Sequence, residues 1–575
     1  MEYSIESKNE SGKVLLNVTE NGDGITLLDI SVSFDEPTMP QPVEIRWSEP
    51  SVDIFAQWSG RPDFDRTIGP NWKKRRTAAQ LASAAPVMTW LSNEGKNRLT
   101  VTISDAATPT EIAGGLLEET ACLSCIVTFF AKPVGAISNY HARVRLDRRD
   151  VRYEEALRSA DNFWVENGYP YAHVPDGARD AVYSCWYSFH QSVDPDAIIA
   201  QCRMAKKLGM ETVIVDDGWQ TDNERRGYAY CGDWEVAPSK VPSMKAFADA
   251  VHALGMKFMI WYSVPFVGKF SRAHERFTGM TLGASGRNYE TLDPRYPEVR
   301  EYLTGIYAKA MREWGLDGVK LDFIDRFKTD DPTPDPRRDT ESLEEGVDML
   351  LSGISESLLA VNPEALIEFR QTYFGPAVRR FGNMFRVSDC PDDPLHNRAF
   401  GVDMRFMLGD VPVHSDMLMW HPDDTPEAVA YQMISVLPTV PQISVLLDKI
   451  PQKQYEVLDF WLGFWRQHRR TLLCGRLEAD HPEVLYSQVR MTGEDESVVI
   501  AYTDPVVTLP RSGALYVCNA TGKEIICLFA GENTRSCHIT VRGCNGDVIR
   551  TDTRAIDAGE SVAVTVPLCG MIEIN

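Results

Sequence analysis

The sequence has no basic segment followed by an apolar run at its N-terminus, Met1-Glu2-Tyr3-Ser4-Ile5-Glu6. Nor does it contain an uninterrupted apolar stretch of about 18 residues, the length that spans a bilayer. Neither a secretory leader nor a membrane anchor is therefore expected, and the cytoplasm is the expected location. Positive charge is scarce: 59 Lys and Arg stand against 82 Asp and Glu, for a net charge of −23. That balance repels phosphate backbones and anionic head groups, which argues against nucleic acid and membrane surfaces as partners. The twelve cysteines fall singly in apolar surroundings, and Cys122 and Cys125 lack the second CxxC that a zinc site would need. They read as packed thiols in a reducing compartment. An H-E-x-x-H motif, a dinucleotide-type glycine fingerprint, low-complexity segments and short-period repeats are also missing. No metal and no organic cofactor is expected.

What is present is a chain of 575 residues, too long for one core, with 43% hydrophobic residues and 13 Trp. Residues 1–175 read as short alternating or apolar runs, such as Val14 to Val18, Pro42 to Trp47, Leu99 to Ile103 and Cys122 to Phe130, followed by a helical linker from Asp150 to Gly168. This is the pattern of a β-sandwich. In residues 176–475 apolar runs alternate with amphipathic stretches. The runs are Ala181 to Trp186, Thr212 to Val215, Lys257 to Trp261, Gly318 to Leu321, Ala365 to Phe369, Met384 to Val387, Val411 to His414 and Val440 to Leu446. Asp194-Pro195, Pro297 and Thr425-Pro426 open helices between them, and Gly209 and Gly315 close two. Apolar strands joined by crossover helices mean a parallel sheet, and eight repeats predict a closed (β/α)8 TIM barrel. Residues 476–575 return to strands and predict a C-terminal antiparallel β-sandwich.

A barrel of this kind builds its site from the C-terminal ends of its strands. Those ends carry Asp216-Asp217-Gly218-Trp219, Trp261, Lys320-Leu321-Asp322, Glu368 and Arg370, Arg386 with Ser388-Asp389, and His414-Ser415-Asp416. Carboxylates and cations bind hydroxyls through charge-assisted hydrogen bonds, and indole faces cover the C–H patches of a pyranose. Glycoside cleavage also needs two carboxyl groups flanking the bond, and Asp322 and Asp389 can face each other across the mouth.

Several blocks resemble the melibiase-type α-galactosidases of glycoside hydrolase family 36. They are Val215-Asp216-Asp217-Gly218-Trp219, Gly232-Asp233-Trp234-Glu235-Val236 with Lys240-Val241-Pro242, Leu254 to Trp261, Lys320-Leu321-Asp322 and Ser388-Asp389. The resemblance implies a retaining, exo-acting α-glycosidase with Asp322 as nucleophile and Asp389 as acid/base. It also implies sugar binding by Asp216, Asp217, Asp233, Trp234, Trp261 and Lys320, and a small oligosaccharide or glycoside as substrate. The sugar expected is terminal α-linked galactose or N-acetylgalactosamine. Two departures stand out: Leu321 replaces the family's usual Trp, and Glu368-Phe369-Arg370-Gln371-Thr372-Tyr373 replaces its Cys-containing, glycine-rich loop after strand five.

Blander readings compete. Asp322 is also a fitting helix cap, Asp216 and Asp217 a capping pair, and any of Trp219, Trp234 and Trp261 a core residue. His414, Asp416 and His421 lack metal-ligand spacing, so His414 is assigned to the substrate rather than to a metal. Glu368 and Arg370 alternate along a strand and are expected on opposite faces, with only one reaching the sugar. An α-glucosidase or transglycosylase on the same barrel, and a carbohydrate-binding protein without catalysis, are the alternatives. A homo-oligomer is compatible with all of them.

Overall fold

The computed structural model describes residues 2–329 and 333–575, so Met1, at the head of the N-terminal stretch read above, lies outside it. Strict alternation of half-buried and buried side chains from Ile25 to Phe34 gives strand Ile25–Thr38 one apolar face. The same pattern recurs in Val43–Pro50 and Cys122–Phe129. These strands belong to a five-stranded and a six-stranded antiparallel sheet that share one core around Ile30, Ile45, Trp90, Val127 and Val144. Helix α1, Tyr153–Glu166, leads out of the sandwich. Its Trp164 indole donates to the Ile103 carbonyl at 2.9 Å and its Tyr153 hydroxyl to the Ala479 carbonyl at 2.8 Å. The linker is therefore pinned at both ends.

Eight strands then close a parallel barrel in chain order: β1 Val182–Ser184, β2 Thr212–Val215, β3 Lys257–Ser263, β4 Gly318–Asp322, β5 Leu366–Arg370, β6 Met384–Arg386, β7 Val413–Leu418 and β8 Val440–Ile443. Pairing of Val182 with Gln442 closes the ring. Helices α2 Pro195–Lys207, α3 Met244–His252, α4 Pro297–Trp314 and α5 Leu343–Val361 follow strands one to four, α6 Pro394–Leu408, α7 Pro426–Val436 and α8 Gln452–Gln467 follow strands six to eight, and β5 is followed by the short turn Val378–Arg380. Asp194 caps α2 by accepting from the backbone of Asp196 and Ala197, and Gly315, at φ 70°, ends α4 in the left-handed region. Among the described residues no helix is long and apolar enough to cross a membrane.

The C-terminal part forms a seven-stranded and a three-stranded sheet around Val499, Val517, Leu528 and Ile572. It departs from a purely antiparallel sandwich in two places. Glu496–Ala501 pairs parallel with Ala514–Asn519, and Val506–Thr508 pairs parallel with Ile525–Phe529. The cause is connectivity: the chain crosses to the opposite sheet after each of these strands and returns running in the same direction.

The three parts meet at one buried polar cluster. Asp403 of α6 accepts from Trp58 Nε1 at 2.7 Å, from Arg66 Nη2 at 2.5 Å and from the Tyr486 hydroxyl. Arg66 and Asp403 are both almost wholly shielded from solvent. Replacing Asp403 by Leu strands the Arg66 charge in the interior, which costs about 3–5 kcal/mol. The Asp403→Leu protein is expected to unfold at a clearly lower temperature than Tyr486→Phe, which loses one hydrogen bond worth about 1 kcal/mol. Equal midpoints for the two variants would contradict this account of the joint.

Candidate active site

Asp322 is the last residue of β4 and is buried at the barrel mouth. Its Oδ2 accepts from the Trp261 indole at 2.9 Å. Its Oδ1 accepts from the Phe323 backbone N–H at 2.8 Å, from Arg370 Nε at 2.8 Å and from the Tyr373 hydroxyl. Phe323 sits in the left-handed region, at φ 66°, which helps turn its N–H back onto the preceding carboxylate. Burial pushes the Asp322 carboxyl up, but Arg370, Lys320 and the Trp261 and Tyr373 donors outweigh it and hold the group below the usual carboxylate range. It is an ionised, oriented carboxylate.

Lys320, two residues earlier on the same strand face, donates to Asp216 Oδ2 at 2.6 Å. Asp217 is held by two amides, Gln191 Nε2 at 2.7 Å and Gln220 Nε2 at 2.6 Å. Burial, with the Asp216 charge adding to it, pushes the Asp217 carboxyl up to about 6 against those donors. Tyr228, on the loop after β2, lies over the Trp261 ring with centroids 6.3 Å apart and 5.1 Å from that of Phe323. Burial and the charges of Asp322 and Asp217 raise its hydroxyl well above the ordinary range, which places it beside both acids.

On the opposite side Arg386, the last residue of β6, holds two carboxylates. It donates to Asp389 Oδ1 at 2.8 Å and to Asp416 Oδ1. Asp416 also accepts from the Tyr187 hydroxyl at 2.9 Å and from the Cys390 backbone at 2.6 Å. The Asp389 side chain is half exposed, whereas Arg386 and Asp416 are buried. Burial raises the Asp389 carboxyl, but Arg386, Arg370 and Lys320 more than reverse this and hold it well below the usual range. Asp322 is bound to Arg370 and Asp389 to Arg386, and these two arginines are register partners on β5 and β6, so both carboxylates stand at the same end of the barrel.

Four sequence-based expectations need correction. Trp219 is wholly buried, donating to the Trp261 carbonyl at 3.0 Å and packed among Trp234, Tyr262 and Trp314, so it backs the pocket wall and does not line it. Gly218 causes this: at φ 117° it turns the chain after Asp217, and a Cβ there would meet the Gln191 backbone at 2.5 Å. Trp234 is packed edge-on against Trp261 and Tyr262 and, with Asp233, lines a cleft that does not include Asp322, and Asp233 accepts from the backbone N–H groups of Arg272 and Ala273 at the start of the short helix Arg272–Arg276. His414 lies near the start of β7, bonded to the Ala178 carbonyl at 2.8 Å, and burial pushes its imidazole down to about 4. It is a fully buried core histidine inside the barrel, with its other ring nitrogen 3.3 Å from Gln442 Nε2.

Glu368 and Arg370 are the fourth correction. Residues two apart on a strand share a face, so both point into the barrel and differ in depth. Glu368 is fully buried beneath the mouth, its Oε2 accepting from Gln442 Nε2 at 2.5 Å, while Arg370 reaches Asp322. Sequence reasoning also left Tyr187, Gln191, Gln220, Tyr228, Tyr373 and Asp416 unassigned. Asp416 was within reach, since it lies in the seventh strand, next to the residues read at its end. Nothing in local spacing marks Tyr228, which sits midway along a long loop.

Residues 173–364 match the melibiase family model. That stretch includes Asp216, Asp217, Trp261, Lys320 and Asp322 and ends before Arg370, Arg386 and Asp389. The α-galactosidase Mel36A of Lactobacillus acidophilus is 28% identical over 158 residues, covering 26% of this chain and 20% of that protein. An A type blood α-D-galactosamine galactosaminidase of Flavonifractor plautii is 26% identical over 171 residues, covering 26% of this chain and 15% of that protein. The matched stretches therefore span about a fifth of these relatives or less. The crystal structure of the family 36 α-galactosidase AgaA from Geobacillus stearothermophilus superposes with a TM-score of 0.66 at 13% identity, covering 100% of this chain and 86% of that one. Variants of AgaA have been solved with raffinose and with stachyose. Residues 173–364 are thus similar to the melibiase family, and the whole chain has the fold of the family 36 α-galactosidase structures.

Proposed function

We propose that the protein is a retaining, exo-acting α-glycosidase that releases terminal α-linked galactose or N-acetylgalactosamine from small oligosaccharides or glycosides. The observation that carries this reading is the pair Asp322 and Asp389 at one end of the barrel, held by Arg370 and Arg386, which are register partners on adjacent strands. Similarity to an α-galactosidase and to a galactosaminidase supports the choice of sugars. The twelve cysteines, all unpaired, support a reducing, cytoplasmic setting.

In the first step the Asp322 carboxylate attacks the anomeric carbon. The bond to the leaving oxygen breaks with its electron pair, and that oxygen takes the proton of Asp389. In the second step the Asp389 carboxylate takes a proton from water, whose oxygen attacks the anomeric carbon, and the ester electron pair returns to Asp322. Asp216, Lys320 and Asp217 present acceptors and a donor to the sugar hydroxyls, and Trp261 and Tyr228 present ring faces to its C–H surface.

Aryl α- and β-glycosides offered to the parent, Asp322→Ala and Asp389→Ala proteins test the assignment. One α-glycoside is expected to be cleaved with retention, and Asp322→Ala to lose at least about 10³-fold in kcat/KM. An Asp322→Ala protein as active as its parent would remove the nucleophile from the scheme.

The ion pair with Arg386 has a consequence for pH. A lowered pKa leaves Asp389 in its base form near neutrality, which suits the second step, and its acid form grows only as pH falls. A p-nitrophenyl leaving group needs little proton donation, whereas a sugar leaving group depends on it. The kcat/KM for a disaccharide relative to the p-nitrophenyl glycoside is therefore expected to rise towards acid pH, approaching about tenfold per unit. A ratio flat between pH 4 and 8 would exclude Asp389 as the proton donor.

A further inference from the structure

The nucleophile candidate is loaded unevenly. Three donors, the Phe323 N–H, Arg370 Nε and the Tyr373 hydroxyl, converge on Asp322 Oδ1, while Oδ2 receives the Trp261 indole alone. A carboxylate oxygen has about two lone-pair sites, so Oδ1 is saturated and Oδ2 keeps one free. Arg370 is itself fixed: Nη1 donates to the Gln371 carbonyl at 2.9 Å, and the guanidinium lies 5.2 Å from the Phe323 ring centroid and 5.5 Å from that of Tyr373. Its side chain is largely buried, so its charge is poorly screened by water.

We propose that Arg370 is a positioning residue with two effects. It occupies Asp322 Oδ1 so that Oδ2 is the atom that bonds to the anomeric carbon, and its charge couples the Asp322 and Asp389 carboxylates through the cycle. The groups that face it are Asp322 from β4, Tyr373 from the loop after β5, its register partner Arg386 from β6, and Asp389 from the loop after β6, which Arg386 holds at 2.8 Å. Tyr228 from the loop after β2 completes the set, with Lys320 behind Asp322. When Oδ2 becomes an ester oxygen, Asp322 loses its negative charge and Arg370 is left facing Asp389 as its remaining nearby anion. That charge then favours the deprotonated form of Asp389 at the stage where a base is needed. When water releases the sugar, the electron pair returns to Asp322 and the original pairing is restored.

This inference rests on the assignment of Asp322 and Asp389, and its test separates the two. Arg370→Met and Arg370→Lys are measured beside the parent and Asp322→Ala, with kcat and KM followed across pH. Removing a cation from between two carboxylates raises both of their pKa values, so both limbs of the Arg370→Met profile are expected to move up by about one unit or more. Arg370→Lys keeps the charge, and its limbs are expected to stay near the parent's although its rate falls. A merely structural role lowers activity without moving either limb, and unmoved limbs in Arg370→Met overturn the coupling. A second measurement needs no variant: the crystal structure of the parent trapped with a 5-fluoro-α-galactosyl fluoride. The ester is expected through the oxygen facing Trp261, with Arg370 still on the other; an ester through the Arg370-facing oxygen overturns the positioning. Full activity of Asp322→Ala would instead sink the underlying assignment.

Discussion

A carboxylate taken out of water must find a cation or several donors, or it costs several kcal/mol and takes up a proton. The barrel mouth gathers six acids, Asp216, Asp217, Asp322, Glu368, Asp389 and Asp416, around three cations, Lys320, Arg370 and Arg386. The shortfall of positive charge sorts the acids. Asp322 and Asp389 are the two held below the ordinary carboxylate range, and Asp217, Glu368 and Asp416 are pushed above it. The sorting leaves Asp322 and Asp389 as the two acids favoured in the ionised form, and exposure separates them, since Asp322 is buried and Asp389 is half exposed.

The fold serves this crowding. Parallel strands bring Trp261, Lys320, Arg370, Arg386 and Asp416 to one end of the barrel, and the register aligns Trp261 with Lys320 and Arg370 with Arg386. The N-terminal sheets, α1 and the C-terminal sheets hold the outside of the ring, and the Trp58, Arg66, Asp403 and Tyr486 cluster ties all three parts through α6. That helix follows β6, the strand that ends in Arg386, so the structural joint and one half of the site share a βα unit.

The barrel was legible in the sequence because strands buried on both faces read as apolar runs, and Thr212–Val215 was read with its observed bounds. Reading failed where polar residues lie inside a strand. Val413–Leu418 carries Ser415 and Asp416 within it, so the run, begun two residues early at Val411, was ended at His414, four residues short of the strand's end. That shift put a core histidine at the mouth and left Asp416 out of the site. Trp219 was misplaced for a different reason: Gly218 reverses the chain, and no spacing rule reveals which way an indole points after a reversal. Arg370, which binds Asp322, was visible in the sequence only as part of the unusual stretch after strand five. Its partner could be known only once β4 and β5 stood side by side.

The most direct measurement is the mass of the protein after reaction with a 5-fluoro-α-galactosyl fluoride, followed by mapping of the labelled peptide. The account requires one added glycosyl unit per chain, carried by Asp322, and its release on adding water or an acceptor. A label on another residue, or turnover with inversion and no label at any time, would contradict it.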